Sequence, residues 1–133
     1  MREIIFRGKR SDTGEWIEGY FGQSIDSFII QDYGLVAGRF EVFKVIPETV
    51  SQFTGLYDKN GVRIWENDIV RYADLTFNPN IGRFENMIFT SAVTYNLDNG
   101  CFSPFEPDTF ESYIRAENVE VIGNRFDNPD LLN

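Results

Sequence analysis

Residues 57–72 read YDKNGVRIWENDIVRY, and this stretch decides the fold class. Asn60-Gly61 is a strong local hairpin signal, because tight turns between strands need positive φ angles that Gly adopts freely and Asn tolerates. A strand is expected on each side of it. Val62 to Trp65 then runs into the polar turn Glu66-Asn67-Asp68, after which Ile69 to Tyr72 is again apolar and β-branched. Short runs closed by turn residues at this spacing leave no room for a helical period.

The same pattern continues in both directions. Toward the N-terminus, Arg2 to Arg7 and Trp16 to Phe21 read as the arms of a hairpin around Ser11-Asp12-Thr13-Gly14. Phe28 to Ile30 and Phe40 to Ile46 follow, separated by a Gly34 to Gly38 loop, and Pro47 ends that register before Thr49 to Thr54. Toward the C-terminus, Ala73 to Asn86 is poorly patterned, contains Asn78-Pro79-Asn80 and Gly82, and reads as a protruding loop. Met87 to Tyr95 alternates well, and Asp98-Asn99-Gly100 turns it toward Cys101 to Phe105. Asp108 to Arg115, after Pro104 and Pro107, is the one segment with helical character, capped by Asp108 or Thr109. Val119 to Ile122 is the last strand. The expectation is a single mostly β domain over 1–133: a small barrel or sandwich with long loops and at most one or two short helices.

Composition bounds the chemistry. In 133 residues, 42% are hydrophobic and 16% aromatic, including 13 Phe, enough to bury a real core. Acidic residues number 21 against 12 basic, for a net charge of -9. Such a surface repels phosphate backbones, so direct nucleic-acid binding is disfavoured. Cys101 is the one cysteine, which rules out an intramolecular disulfide and fits a reducing compartment. The charged start MREIIFRGKR has no signal-peptide core, and no stretch approaches the apolar length of a membrane span. A cytoplasmic protein is expected, with no membrane partner.

Catalytic constellations are missing. There is no His, so the commonest general base and zinc ligand are absent, and Cys101 has no His partner to activate it. Three carboxylate pairs, Glu66 with Asp68, Glu106 with Asp108 and Asp127 with Asp130, lack the spacing of a calcium loop and read as acidic turns. No phosphate-cradling glycine loop precedes a helix. No catalytic, cofactor-binding or metal-binding residue is therefore assigned, and no cofactor. Phe77 and Phe84 in the Ala73 to Asn86 loop, with Phe105, Phe110 and Tyr113 in the Ser103 to Tyr113 segment, form the candidate interaction surface: aromatics exposed together there would mark a protein contact, the alternative being that they fill the core under long loops.

Three stretches, IIFRGKRSDTGEWIEG, PETVSQFTGLYDKNGVRIWENDIV and VEVIGNRFDNPDLL, occur in this order, and together they resemble the YopX family of phage and prophage proteins. The central match is the most specific. Asn67 stands where the family usually has Gly, and Asn is the next most tolerant residue for a left-handed turn. Arg7-Gly8-Lys9 departs from the family's first strand. The resemblance implies a β-rich fold, an SH3-like barrel, and no cofactor or reaction. The leading expectation is a phage accessory protein acting through a protein partner or self-association. Two alternatives are an acidic DNA mimic that inhibits a host nucleic-acid enzyme and a carboxylate-dependent enzyme.

Overall fold

A computed structural model describes residues 4–32, 38–98, 100–105 and 114–132. Among them the chain is mostly β, and its helical content is limited to three 3₁₀ turns of three or four residues. No helix among the described residues is long and apolar enough to cross a membrane. The chain divides into two compact units, Met1–Gly55 and Leu56–Asn133.

The first unit is an antiparallel meander. Its strands are β1 (Phe6–Lys9), β2 (Trp16–Gln23), β3 (Ser27–Asp32), β4 (Phe40–Val45) and β5 (Ser51–Tyr57), in the order β4-β3-β2-β1-β5. A 3₁₀ turn at Pro47–Thr49 joins β4 to β5. Beyond the end of β1, Arg10 bridges Val45, and the Ile46 amide donates to the Lys9 carbonyl at 2.8 Å. Thr49 fixes this corner: its hydroxyl donates to the Ile46 carbonyl at 2.6 Å and accepts the Lys9 amide at 2.9 Å. Ile29, Val45 and Phe53 are buried. Gly19 lets β2 lie against β3, since a Cβ there would run into the Ile30 carbonyl oxygen.

In the second unit the end of β5 turns into β6 (Arg63–Trp65), followed by β7 (Asp68–Asn78), β8 (Arg83–Ala92), β9 (Thr94–Asn96), β10 (Cys101–Ser103) and β11 (Glu120–Asn124). One sheet has the order β11-β7-β8, and β9 pairs with β10. Ile64, Val70, Val93, Phe102 and Val119 form the buried cluster, with Leu56, Tyr72, Phe105 and Ile114 packed against it.

The structure corrects the sequence reading in four places. The segment expected to be a loop, 73–86, is a long hairpin, with β7 running to Asn78 and β8 starting at Arg83. Asn78-Pro79 and Gly82 mark only its tip. The Asn60-Gly61 turn has positive φ at Gly61 alone, at 77°, because the loop is wider than a two-residue turn. Asn67 does adopt the left-handed conformation, at φ 74°. The strand orders are open, so the sheets do not close into a barrel. Of the expected helix, 108–113 lies outside the described residues, and Ile114 and Arg115 are not helical.

Candidate functional site

The β7–β8 ribbon is built by alternation. Residues directly opposite each other in an antiparallel pair project from the same side, so Arg71 with Thr90, Ala73 with Ile88, Leu75 with Asn86 and Phe77 with Phe84 share one face. All eight are exposed. Leu75 is 62% exposed, Phe84 64% and Ile88 67%. At the tip, the rings of Phe77 and Phe84 meet edge to face with centroids 5.4 Å apart.

The other face is different in both chemistry and exposure. Tyr72 stacks with Phe89 at 5.8 Å, and Tyr72 packs against the core cluster. Asp74, Arg83 and Glu85 also lie on this side by register, and Asn78 donates from Nδ2 to Glu85 Oε1 at 3.0 Å. Between Ala73 and Ile88 the ribbon's ionisable groups are thus all on the face opposite the apolar one. β8 is also the edge of its sheet, and an apolar edge strand is a ready template for another chain.

The root of the ribbon is held by buried polar side chains. Asp58, 5% exposed, accepts the amides of Asn60 at 2.8 Å and Val62 at 2.9 Å on one oxygen and that of Val121 at 3.0 Å on the other. It therefore ties the β5–β6 loop to β11. Burial pushes the Asp58 carboxyl up, but the three amides, with the charge of Lys59, hold it below the usual range. Asp68 accepts the Trp65 amide at 2.8 Å across the Asn67 turn. That turn engages both neighbours, since the Asn67 amide donates to the Val93 carbonyl and its own carbonyl accepts from Arg125. Asn124 Oδ1 caps the last turn by accepting the amides of Phe126 and Asp127. Gly123 leaves room for this arrangement, because a Cβ there would meet Asn128 Oδ1 at 2.5 Å and push the Asn128 side chain away.

Where the ribbon leaves this root, a hollow of about 420 Å³ opens, lined by Lys59, Arg71, Ala73, Ile88, Asn118 and Glu120 among others. Glu120 lies 3.2 Å from Arg71 and 3.4 Å from Lys59. The hydrogen bonds from Arg71 and then Lys59 hold its carboxyl below the usual range. Ala73 and Ile88 belong both to the hollow and to the apolar face, so the two are continuous.

Of the five residues singled out from sequence, Phe77 and Phe84 stand together at the ribbon tip. Phe105 is half-buried against the core cluster, and Phe110 and Tyr113 lie outside the described residues. Sequence reasoning missed Leu75 and Ile88, although the alternation Ala73, Leu75, Phe77 carried the signal. Cys101 is a half-buried residue of β10. Glu66 and Asp68 flank a structural turn, and the pair Glu106 and Asp108 lies outside the described residues. No cluster of three potential metal-ligating side chains occurs among the described residues.

Comparison with known proteins adds the lineage. No curated protein matches the chain. Among solved structures, the crystal structure of protein EF1440 from Enterococcus faecalis is similar over 100% of both chains, with 25% identity and a TM-score of 0.55. The sequence model described as YopX protein matches residues 5–133, and the chain therefore belongs to the YopX family.

Proposed function

We propose that this protein is a non-catalytic protein–protein interaction module whose contact surface is the apolar face of the β7–β8 ribbon. The observation that carries this reading is the row Ala73, Leu75, Phe77, Phe84 and Ile88, exposed together on one side of an edge ribbon. Exposed apolar side chains scattered singly are ordinary, whereas a contiguous row marks a contact surface. Buried carboxylates elsewhere in the unit, Asp58 and Asp68, are occupied by backbone amides, which gives them a structural task.

The same reading takes 1–133 as one domain, in line with a family match that spans both units. It also takes the first unit as an SH3-like, partly open barrel. Supporting this are the order β4-β3-β2-β1-β5, the 3₁₀ turn before β5 and the Arg10 to Val45 bridge that draws the first and fourth strands together. The setting proposed is accessory work for a phage or prophage in the bacterial cytoplasm.

The test is affinity capture from lysate of the bacterium that carries the gene, with wild type and a Phe84→Asp, Ile88→Asp double variant as baits. The reading expects a protein retained by wild type and lost from the variant. Identical retention by both baits, or no retention by a wild type that is also monomeric, would contradict it.

A further inference from the structure

We propose that the surface this face recognises is its own counterpart on a second copy of the chain. The two ribbons stack face to face about a two-fold axis, and the aromatic tip of each sits in the root hollow of the other. The proposal rests on the interaction reading above and names its partner.

Charge is the first argument. The protein carries a net charge of -9, so two copies repel at long range. From Ala73 outward, however, the face carries no ionisable group, and Asp74, Arg83 and Glu85 all lie behind it. The charges at the root, Arg71, Lys59 and Glu120, lie within the hollow and pair with one another there, so the row from Ala73 to Ile88 itself offers a basic or acidic partner no charge. An equally uncharged apolar face satisfies it, and the second copy supplies one without placing carboxylates opposite each other.

Shape is the second argument. The face presents a knob, the edge-to-face pair Phe77 and Phe84, and a hollow of about 420 Å³ at the Arg71 end. About four residues of extended chain separate them, or ~14 Å at the usual rise. A two-fold axis through the middle of the row, near Leu75 and Asn86, brings each knob over the opposite hollow. Such an isologous contact is self-complementary and closes at two subunits. The hollow has room for a phenyl ring, and the guanidinium of Arg71 on its wall offers a cation–π contact to the incoming ring.

Area is the third. Roughly half-exposed Phe77, Phe84, Leu75 and Ile88 present on the order of 500 Å² of apolar surface, given ~150–250 Å² for a large aromatic side chain. Two such faces bury about 1,000 Å², the lower bound for a specific interface. The dimer is accordingly weak and concentration-dependent.

Sedimentation of the purified full chain from about 1 to 500 µM tests this, with Phe84→Asp removing the knob and Ile88→Asp blocking the hollow. Circular dichroism checks that each variant remains folded. The expected result is a mass rising toward the dimer for wild type and at least tenfold weaker association for either variant. Ile25→Asp, at a 97% exposed site in the first unit, should behave as wild type. The decisive mixture is Phe84→Ala with Ile88→Asp: it restores one knob in one hollow, sets no two carboxylates against each other at the second contact, and should associate more strongly than Ile88→Asp alone. A wild type that stays monomeric throughout overturns the proposal, as does a dimer that both variants keep or a mixture that gains nothing. If capture from lysate still depends on Phe84 and Ile88 while wild type is monomeric, only the second-copy partner falls. If that dependence is absent too, the interaction reading falls with it.

Discussion

Asp58 shows how a residue that resembles chemistry can be consumed by structure. Three backbone amides donate to its carboxylate from two separate segments, and an acceptor removed from buried donors costs the desolvation of each. Asp58→Ala should therefore destabilise the protein by about 2–4 kcal/mol in urea unfolding. Asp58→Asn, which keeps the shape and loses the charge, should cost less. The sign of the pH effect follows from the lowered folded pKa: the stabilisation is fully present above the ordinary carboxylate range near pH ~4 and is lost as pH falls through the folded value. The stability gap between wild type and Asp58→Asn should shrink correspondingly on acidification below pH ~4. Sequence exposed much of this residue-scale logic. Asn67 occupies a left-handed turn, as its replacement of a glycine implies. The partner of Asp58 on β11 was not legible, because Val121 is separated from it by 63 residues and no local pattern encodes that contact.

At the scale of elements, the strands around the DKNG and END turns were legible from β-branched runs and punctuating glycine and asparagine. The β7–β8 ribbon was not. Its tip residues Asn78, Pro79 and Gly82 dominated the reading, and the apolar row beside them has no core to face. A pattern argument that assigns apolar residues to the interior has no place for a ribbon that turns Leu75 and Ile88 outward. Two element-scale outcomes follow. Phe84→Asp and Ile88→Asp should leave thermal stability within about 0.5 kcal/mol of wild type, as exposed substitutions do, whereas Ile64→Ala in the buried cluster should cost about 2–5 kcal/mol. In the first unit, Gly19→Ala should destabilise by about 1–3 kcal/mol, because the added methyl meets the Ile30 backbone rather than a movable side chain. Denaturant midpoints check all of these.

For the whole molecule, composition and the family motifs carried the mostly β class, and long-range pairing had to come from the structure. The order β4-β3-β2-β1-β5 joins the first strand to the fifth, a pairing that neither strand's own sequence specifies. Charge also takes a different meaning at this scale. The net charge of -9 left a charge-imitating reading open, yet the ribbon face carries no ionisable group from Ala73 outward, so its association should change little between 50 and 500 mM salt or strengthen slightly as long-range repulsion is screened. A charge-imitating mechanism would weaken steeply over the same range. Titrating partner binding or self-association against salt separates the two.

The central claim is that the outward face of the ribbon is the surface through which this protein meets other protein. The most direct measurement replaces Phe84 with a photo-reactive benzoyl-phenylalanine and, in a second protein, places the same group at Ile25. The account predicts a light-dependent protein adduct, with a second copy or another chain, from position 84 and none from position 25. Equal adducts from both positions, or none from 84 at high concentration in purified protein and in lysate alike, would contradict it.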